Sequence, residues 1–244
     1  MEFVCNTAEK ISPALYRSLG CYRHHVFVER LGWELPSQPG YEQDQFDRAD
    51  TVHVVARNAG GDIVGCGRLL PTSGPYLLQE VFPQLLNGMP VPRSDKVWEL
   101  SRFAAMAPEG AEPARRNDYV AERVLLQALR FCKSQGVTHL LAVSTPPVER
   151  LLLRAGVRCQ RLGPPDLAGG KPVIAFVIAV DDASMDALGL LEAAALSGDG
   201  TVQVARANTS DVLQSLLALA HDRMGEAVDP QTLAAVEWPD LALH

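Results

Sequence analysis

The first half of the 244-residue chain carries acids, arginines and aromatic residues at spacings that can bring them together: Arg23, Phe27, Trp33, Asp44, Asp47, Arg68, Glu99 and Arg102. Arg23 and Phe27 stand four apart, so on a helix they are neighbours on one face. Asp44 and Asp47 lie three apart in YEQDQFD, just ahead of a strand-like run. Glu99 and Arg102 sit inside WELSRFAAM, residues 98–106, which otherwise reads as a buried strand. A buried charge is costly unless it is paired or neutralised. Carboxylates without guanidinium partners in such surroundings would be driven towards protonation, and an aromatic face offers a favourable surface to a cation. Each residue taken singly has an ordinary account as a surface acid, a structural arginine or an aromatic core plug. Their combination is what points beyond those accounts to a functional site.

Strand geometry sets a condition on that combination. Residues three apart on a regular strand point to opposite faces, so Glu99 and Arg102 share a site only if the strand is bulged or splayed between them. The competing account is a buried ion pair spanning the two packed layers.

The elements that must position these residues follow from pattern. Ser12-Pro13 predicts a helix start, a capping hydroxyl followed by proline at the first helical position, and Leu15, Leu19, Tyr22 and Val26 give that helix a core face. Residues 51–58 and 63–70 read as strands joined through Ala59-Gly60-Gly61-Asp62, a hairpin signal. Residues 77–86 have some helical periodicity, and 97–105 form the strand in question. Asn117 or Asp118 is placed to cap a long helix running to about Gln135, with Gly136 at the left-handed C-terminal position. Residues 140–144 read as a strand, 148–155 as a helix stopped by Gly156, and 173–180 as a last strand. This order favours one α/β sandwich over residues 1–181. Residues 182–244 are expected to form a helical C-terminal extension of unknown role, packed on the core or on a second subunit. It has an Ala- and Leu-rich stretch at 185–197, a breaker at 198–200 and a second apolar-periodic helix from Thr209-Ser210-Asp211 to about Met224.

Composition excludes several classes. With 47% hydrophobic residues the chain can bury one sizeable core, and no run approaches the ~20 apolar residues that span a bilayer. MEFVCNTAEK lacks the features of a secretory signal, so a cytoplasmic protein is expected. The five cysteines show no metal-ligand spacing, and no metal is expected. A net charge of −7 argues against general nucleic-acid affinity.

The motifs RHHVFVERLGW, YEQDQFD, CGRLLPTSGPYLLQEVF, WELSRFA and RAGVRCQRLGP, in that order between about Tyr22 and Val180, resemble the acyl-homoserine-lactone synthases, the autoinducer synthase family of bacterial quorum sensing. Arg23, Phe27, Trp33, Asp44, Asp47, Arg68, Glu99 and Arg102 all match the family's motif. The resemblance implies an N-acetyltransferase-like fold, a mixed twisted sheet flanked by helices whose central strands splay to admit a pantetheine-linked acyl group.

It also implies a two-step reaction with no cofactor, in which S-adenosylmethionine is a substrate. Its amine attacks the thioester of an acyl carrier protein, and its carboxylate then closes on the γ-carbon and expels methylthioadenosine. Glu99 is the candidate base, with Asp44 and Asp47 as competitors; Arg68 and Arg102 balance the acids, and Arg23, Phe27 and Trp33 close over the sulfonium substrate. Phe103, Ser144, Thr145, Leu151 and Leu152 are candidates to line the acyl site, the two hydroxyls either meeting a 3-oxo group or capping the following helix. Arg150, Arg154 and Arg158 are candidates to dock the acidic carrier. Acyl chain length and the choice between carrier and coenzyme A donors stay open. The alternatives are a related N-acyltransferase acting on another amine, or a non-catalytic sensor on the same fold.

Overall fold

The chain opens with strand β1 (Glu2–Thr7), which the mixed pattern of its residues did not announce. Helix α1 (Pro13–Arg23) starts as the sequence predicts, with the Ser12 hydroxyl accepting from the Leu15 N–H at 3.3 Å. It widens into a π-helical turn, His24–Arg30, a form frequent at functional sites. A small hairpin, β2 (Ser37–Gln38) and β3 (Tyr41–Glu42), leads to β4 (Val52–Arg57) and β5 (Ile63–Pro71). The short helix α2 (Leu77–Glu80) precedes β6 (Val97–Ala105). Then come α3 (Val120–Ser134), β7 (His139–Ser144), α4 (Pro146–Arg154), β8 (Cys159–Arg161), β9 (Asp166–Ala168), β10 (Lys171–Ala179) and α5 (Asp182–Ser197). This computed structural model describes residues 1–33, 35, 37–106, 119–168 and 171–197.

The strands form one mixed sheet in the order β1-β4-β5-β6-β7-β10-β8, with β9 paired to the start of β10. Every pairing is antiparallel except β6 with β7. Successive residues alternate between two cores, as the strand period requires. Val54, Leu69, Leu100 and Phe176 join α3 on one face, and Val55, Leu70 and Val177 join α1 on the other. Both faces are covered, which is why β4 and β5 read as near-continuous apolar runs.

Gly136 takes the left-handed conformation at φ +75°, and the next N–H, of Val137, reaches back to the Cys132 carbonyl at 3.0 Å, closing α3 as the sequence predicts. Gly156, at φ +81°, does the same after α4. The expected capping residues Asn117 and Asp118 lie outside the described residues, as does the expected helix from Thr209 to Met224. The boundary expected at residue 181 falls at the start of α5. That helix buries Leu188 and Leu191 in the α3-side core, and its Glu192 pairs with Arg123 at 3.2 Å and Arg130 at 3.4 Å.

The expected interruption of the central strand is present. Opposite Gly67 alone on β5, β6 carries both Arg102 and Phe103, a bulge with Arg102 at φ +48°. The parallel ladder between β6 and β7 runs from Val97–His139 to Leu100–Ala142 and ends there. Beyond it β6 follows β5 to Ala105 and β7 follows β10 to Ser144, so the two strands part.

Candidate functional site

Without the bulge, Ser101 and Phe103 would share the α1-side face with Glu99, and Arg102 would point into the α3-side core. The extra residue turns Arg102 onto the α1 side, where its guanidinium bonds to Glu42 at 3.1 Å and Asp44 at 2.7 Å. Arg68, from β5, meets Asp44 at 2.5 Å and Asp47 at 3.3 Å. Arg23, at the end of α1, takes Asp47 through two bonds of 2.7 and 2.9 Å and also pairs with Glu42. The six side chains thus close a ring of alternating charge: Arg23, Glu42, Arg102, Asp44, Arg68, Asp47 and back to Arg23. All of its side chains are almost wholly buried. Three guanidiniums balance three carboxylates, the condition under which buried charges are tolerated.

The ring fixes the protonation of its acids. Burial pushes the carboxyls of Glu42, Asp44 and Asp47 up, but the arginines overcome it and hold all three below their ordinary values: Arg102 and Arg23 for Glu42, Arg102 and Arg68 for Asp44, Arg23 and Arg68 for Asp47. Glu99 stands outside the ring. Its two oxygens accept the N–H groups of Leu77 at 3.0 Å and Leu78 at 2.6 Å. Burial pushes it up to about 7 despite those two bonds. Of the candidate bases it is the one whose affinity for a proton suits transfer near neutral pH.

A cavity lined from both faces of the sheet opens where β6 and β7 part. On the α1 side it is walled by Phe27, Trp33, Phe46, Asp44 and Glu99; on the α3 side by Leu100, Phe103, Leu125, Val148, Leu152 and Phe176. Phe27 and Trp33 stack at 4.6 Å, and the Arg102 guanidinium carbon lies 5.6 and 5.7 Å from their ring centroids. The aromatic pair expected to face a substrate cation therefore already faces one cation of the protein itself.

The residues picked out from sequence fall into two layers. Asp44, Glu99, Arg102, Phe27, Trp33, Phe103, Ser144 and Leu152 line the cavity. Arg23, Asp47 and Arg68 lie outside the lining and are joined to it by the ion pairs of the ring, while Thr145 and Leu151 are also outside it. Neither hydroxyl caps α4: Thr145 occupies the N-cap position with no side-chain bond, and both Ser144 Oγ and Thr145 Oγ1 are buried without a hydrogen-bond partner. Arg150 and Arg154 are exposed and make no ion pair among the described residues. Arg158 is paired with Asp181 at 2.6 Å, and Arg161 of the same basic run is paired with buried Glu149.

Sequence reasoning missed Glu42, which holds two of the three arginines, and Ser101, whose hydroxyl accepts from Arg68 at 3.0 Å. A signal for Glu42 was present. Once Glu99 is reserved for chemistry, three buried arginines and two aspartates leave one positive charge over, and Glu42 lies in the same YEQDQFD segment. Among the described residues no group of His, Cys, Asp or Glu side chains could hold a metal ion, and no helix is long and apolar enough to cross a membrane.

Comparison with known proteins agrees with this geometry. A family model described as autoinducer synthase matches residues 9–188. The chain is 46% identical over 191 residues to an acyl-homoserine-lactone synthase of Ralstonia solanacearum, covering 78% of this chain and 94% of that one. Among solved structures it is similar to TofI in a ternary complex with an inhibitor and MTA, at 42% identity and TM-score 0.67, covering 79% of this chain and 99% of the other. It is also similar to BjaI, a CoA-dependent acyl-homoserine lactone synthase with SAM and isopentyl-CoA, at 26% identity and TM-score 0.69, covering 78% and 88%. The fold alone extends to an acyl-CoA N-acyltransferase from Pseudomonas aeruginosa, at 16% identity and TM-score 0.51, covering 72% and 99%. The expected fold, a mixed twisted sheet of N-acetyltransferase type flanked by helices, is the one observed.

Proposed function

Because the chain belongs to the autoinducer synthase family and is thereby an acyltransferase of the acyl-homoserine-lactone synthase kind, we propose that it transfers an acyl group from acyl carrier protein to the amine of S-adenosylmethionine and then closes the lactone. The observation that carries this reading is the position of Glu99, outside the ring of ion pairs, on the wall of a cavity lined from both faces of the sheet. In the first step the amine nitrogen bonds to the thioester carbonyl carbon. The amine gives a proton to Glu99, and the C–S bond breaks to release the pantetheine thiolate, which takes up that proton. In the second step the carboxylate of the acylated S-adenosylmethionine attacks its own γ-carbon. The bond from that carbon to the sulfonium breaks, the electron pair goes to sulfur, and methylthioadenosine leaves.

The two faces of the sheet divide the substrates. S-adenosylmethionine lies on the α1 side, where Asp44 supplies negative charge and Phe27 and Trp33 supply aromatic surface to a cation. The acyl chain lies on the α3 side against Leu100, Phe103, Leu125 and Leu152. Ser144 Oγ, buried and unpartnered in that wall, is placed to donate to a 3-oxo group of the chain. Exposed Arg150 and Arg154 offer a positive surface to an acidic carrier protein, which supports the carrier as donor.

The test is incubation of the purified protein with S-adenosylmethionine and a panel of carrier-protein and coenzyme A thioesters, with mass spectrometry of the products. The expected result is an acyl-homoserine lactone with an equal amount of methylthioadenosine, formed faster from carrier thioesters. Acylation of another amine without methylthioadenosine would overturn the reaction proposed. Equal rates with coenzyme A thioesters would overturn the choice of donor.

A further inference from the structure

Arg102 is the residue that regular strand geometry would keep out of the site, and one side chain touches the point where the geometry is broken. The bulge places Arg102 at φ +48°, a conformation disfavoured for any residue with a Cβ. A bulge also leaves backbone groups of the ladder unpaired, and buried carbonyls need partners. Cys66, 1% exposed on β5, donates its thiol to the Arg102 carbonyl at an S···O distance of 3.2 Å.

We propose that Cys66 is a positioning residue for S-adenosylmethionine: its S–H holds the Arg102 carbonyl, and with it the bulge that turns the Arg102 guanidinium onto Glu42 and Asp44 and over the Phe27 and Trp33 rings. The inference rests on the reading of that wall as the S-adenosylmethionine side. Burial pushes the thiol up to about 12, so it stays protonated and able to donate throughout the working range of pH. The small side chain also suits the place. Cys66 belongs to the α1-side core and pairs across the sheet with Ala104, just past the bulge. A serine hydroxyl at this position keeps the donor, alanine removes donor and volume together, and valine keeps the volume without the donor.

The experiment measures S-adenosylmethionine affinity by calorimetry, with Michaelis constants for both substrates, in wild type, Cys66→Ser, Cys66→Ala and Cys66→Val. Loss of one hydrogen bond predicts that the alanine and valine variants bind S-adenosylmethionine about fivefold more weakly, while the acyl-donor constant is unmoved and serine stays within about twofold of wild type. In an Arg102→Ala background, Cys66→Val should add no further weakening, because the two act through one contact. The inference is overturned if valine binds S-adenosylmethionine as wild type does, if serine loses as much as valine, or if only the melting temperature moves. The valine variant keeps core volume, so the comparison with serine stands even where alanine does not fold. A wild-type protein that binds no S-adenosylmethionine would instead sink the functional reading.

Discussion

Glu99 and Asp44 line the same cavity, but each oxygen of Asp44 faces a guanidinium while both oxygens of Glu99 accept only backbone N–H groups. This difference in partners separates two chemically identical groups. Arg102 and Arg68 keep Asp44 ionised against the effect of burial, which makes it a fixed negative charge and a poor base. Burial leaves Glu99 at about 7, able to take a proton and release it.

Glu99→Gln should therefore lower lactone synthesis at least about tenfold, a change of ~1.4 kcal/mol in the barrier, with circular dichroism unchanged. The wild-type kcat/KM should rise with pH through about 7 as Glu99 ionises, and the residual activity of the variant should lack that rise. The sign for stability is opposite. The folded-state value lies above the ordinary one of 4.5, so folding favours the protonated form. The stabilisation is complete below about 4.5 and is lost as pH rises through about 7. Urea unfolding across this window should show wild type losing stability relative to Glu99→Gln, and parallel curves would remove Glu99 from both arguments.

The site was legible in the sequence to the depth that residue type and strand period allow. Period-2 geometry alone requires a bulge if Glu99 and Arg102 are to share a site, and the bulge is there, with Arg102 as the left-handed residue. The pairing pattern was not legible. Which acid meets which arginine depends on where the segment 41–47 lies against β5 and β6, a long-range packing outcome, and Glu42 is marked only by the charge balance of the whole cluster, since nothing local distinguishes it from a surface acid. Strand β1 escaped for a related reason: EFVCNT has no clean alternation, and its pairing with β4 supplies its structure.

The ring gives Arg68 a structural role. Its side chain is 1% exposed, and its removal leaves Asp44 with one guanidinium and Asp47 with only Arg23. Breaking a buried pair from one side costs about 3–5 kcal/mol, since the remaining charge is left uncompensated. Arg68→Ala should accordingly lose activity at least about tenfold and also lose stability by an amount of that order. Chemical denaturation decides the point, and a variant as stable as wild type would show that the ring relaxes around the gap.

Gly67 lies opposite the bulge, and a side chain there would meet Leu100 at 3.3 Å and Phe103 at 3.7 Å from its Cβ. Both neighbours wall the α3 side of the cavity, where the acyl chain is proposed to lie. Gly67→Val should push them into that space and shift product towards shorter chains. A hydrophobic pocket separates neighbouring lengths by about 1–3 kcal/mol per methylene, so the shift should be readable in the product ratio from a mixture of thioesters. An unchanged ratio at a reduced overall rate would mean that the acyl chain does not reach Leu100 and Phe103.

Arg150 and Arg154 stand one helical turn apart on α4, exposed and without ion pairs among the described residues, whereas Arg158 and Arg161 are occupied by Asp181 and Glu149. The basic run is therefore effectively reduced to two free charges on one helix face. Isolated surface charges contribute little to stability, so their removal should not affect the fold. Their use lies in encounter. The chain carries a net charge of −7, acyl carrier proteins are acidic, and two negative proteins repel at long range unless a local positive patch directs them. Arg150→Glu combined with Arg154→Glu should raise the Michaelis constant for carrier thioesters, most at low salt, where screening is least. A short pantetheine thioester, which lacks the carrier's surface, should react at close to the wild-type rate. Arg158→Ala should leave the carrier constant almost unmoved, because that guanidinium is already held by Asp181. Equal losses with carrier and pantetheine donors would mean that α4 shapes the acyl pocket through Val148 and Leu152 and does not dock the carrier. Unchanged carrier kinetics would place the docking surface on another face of the sheet.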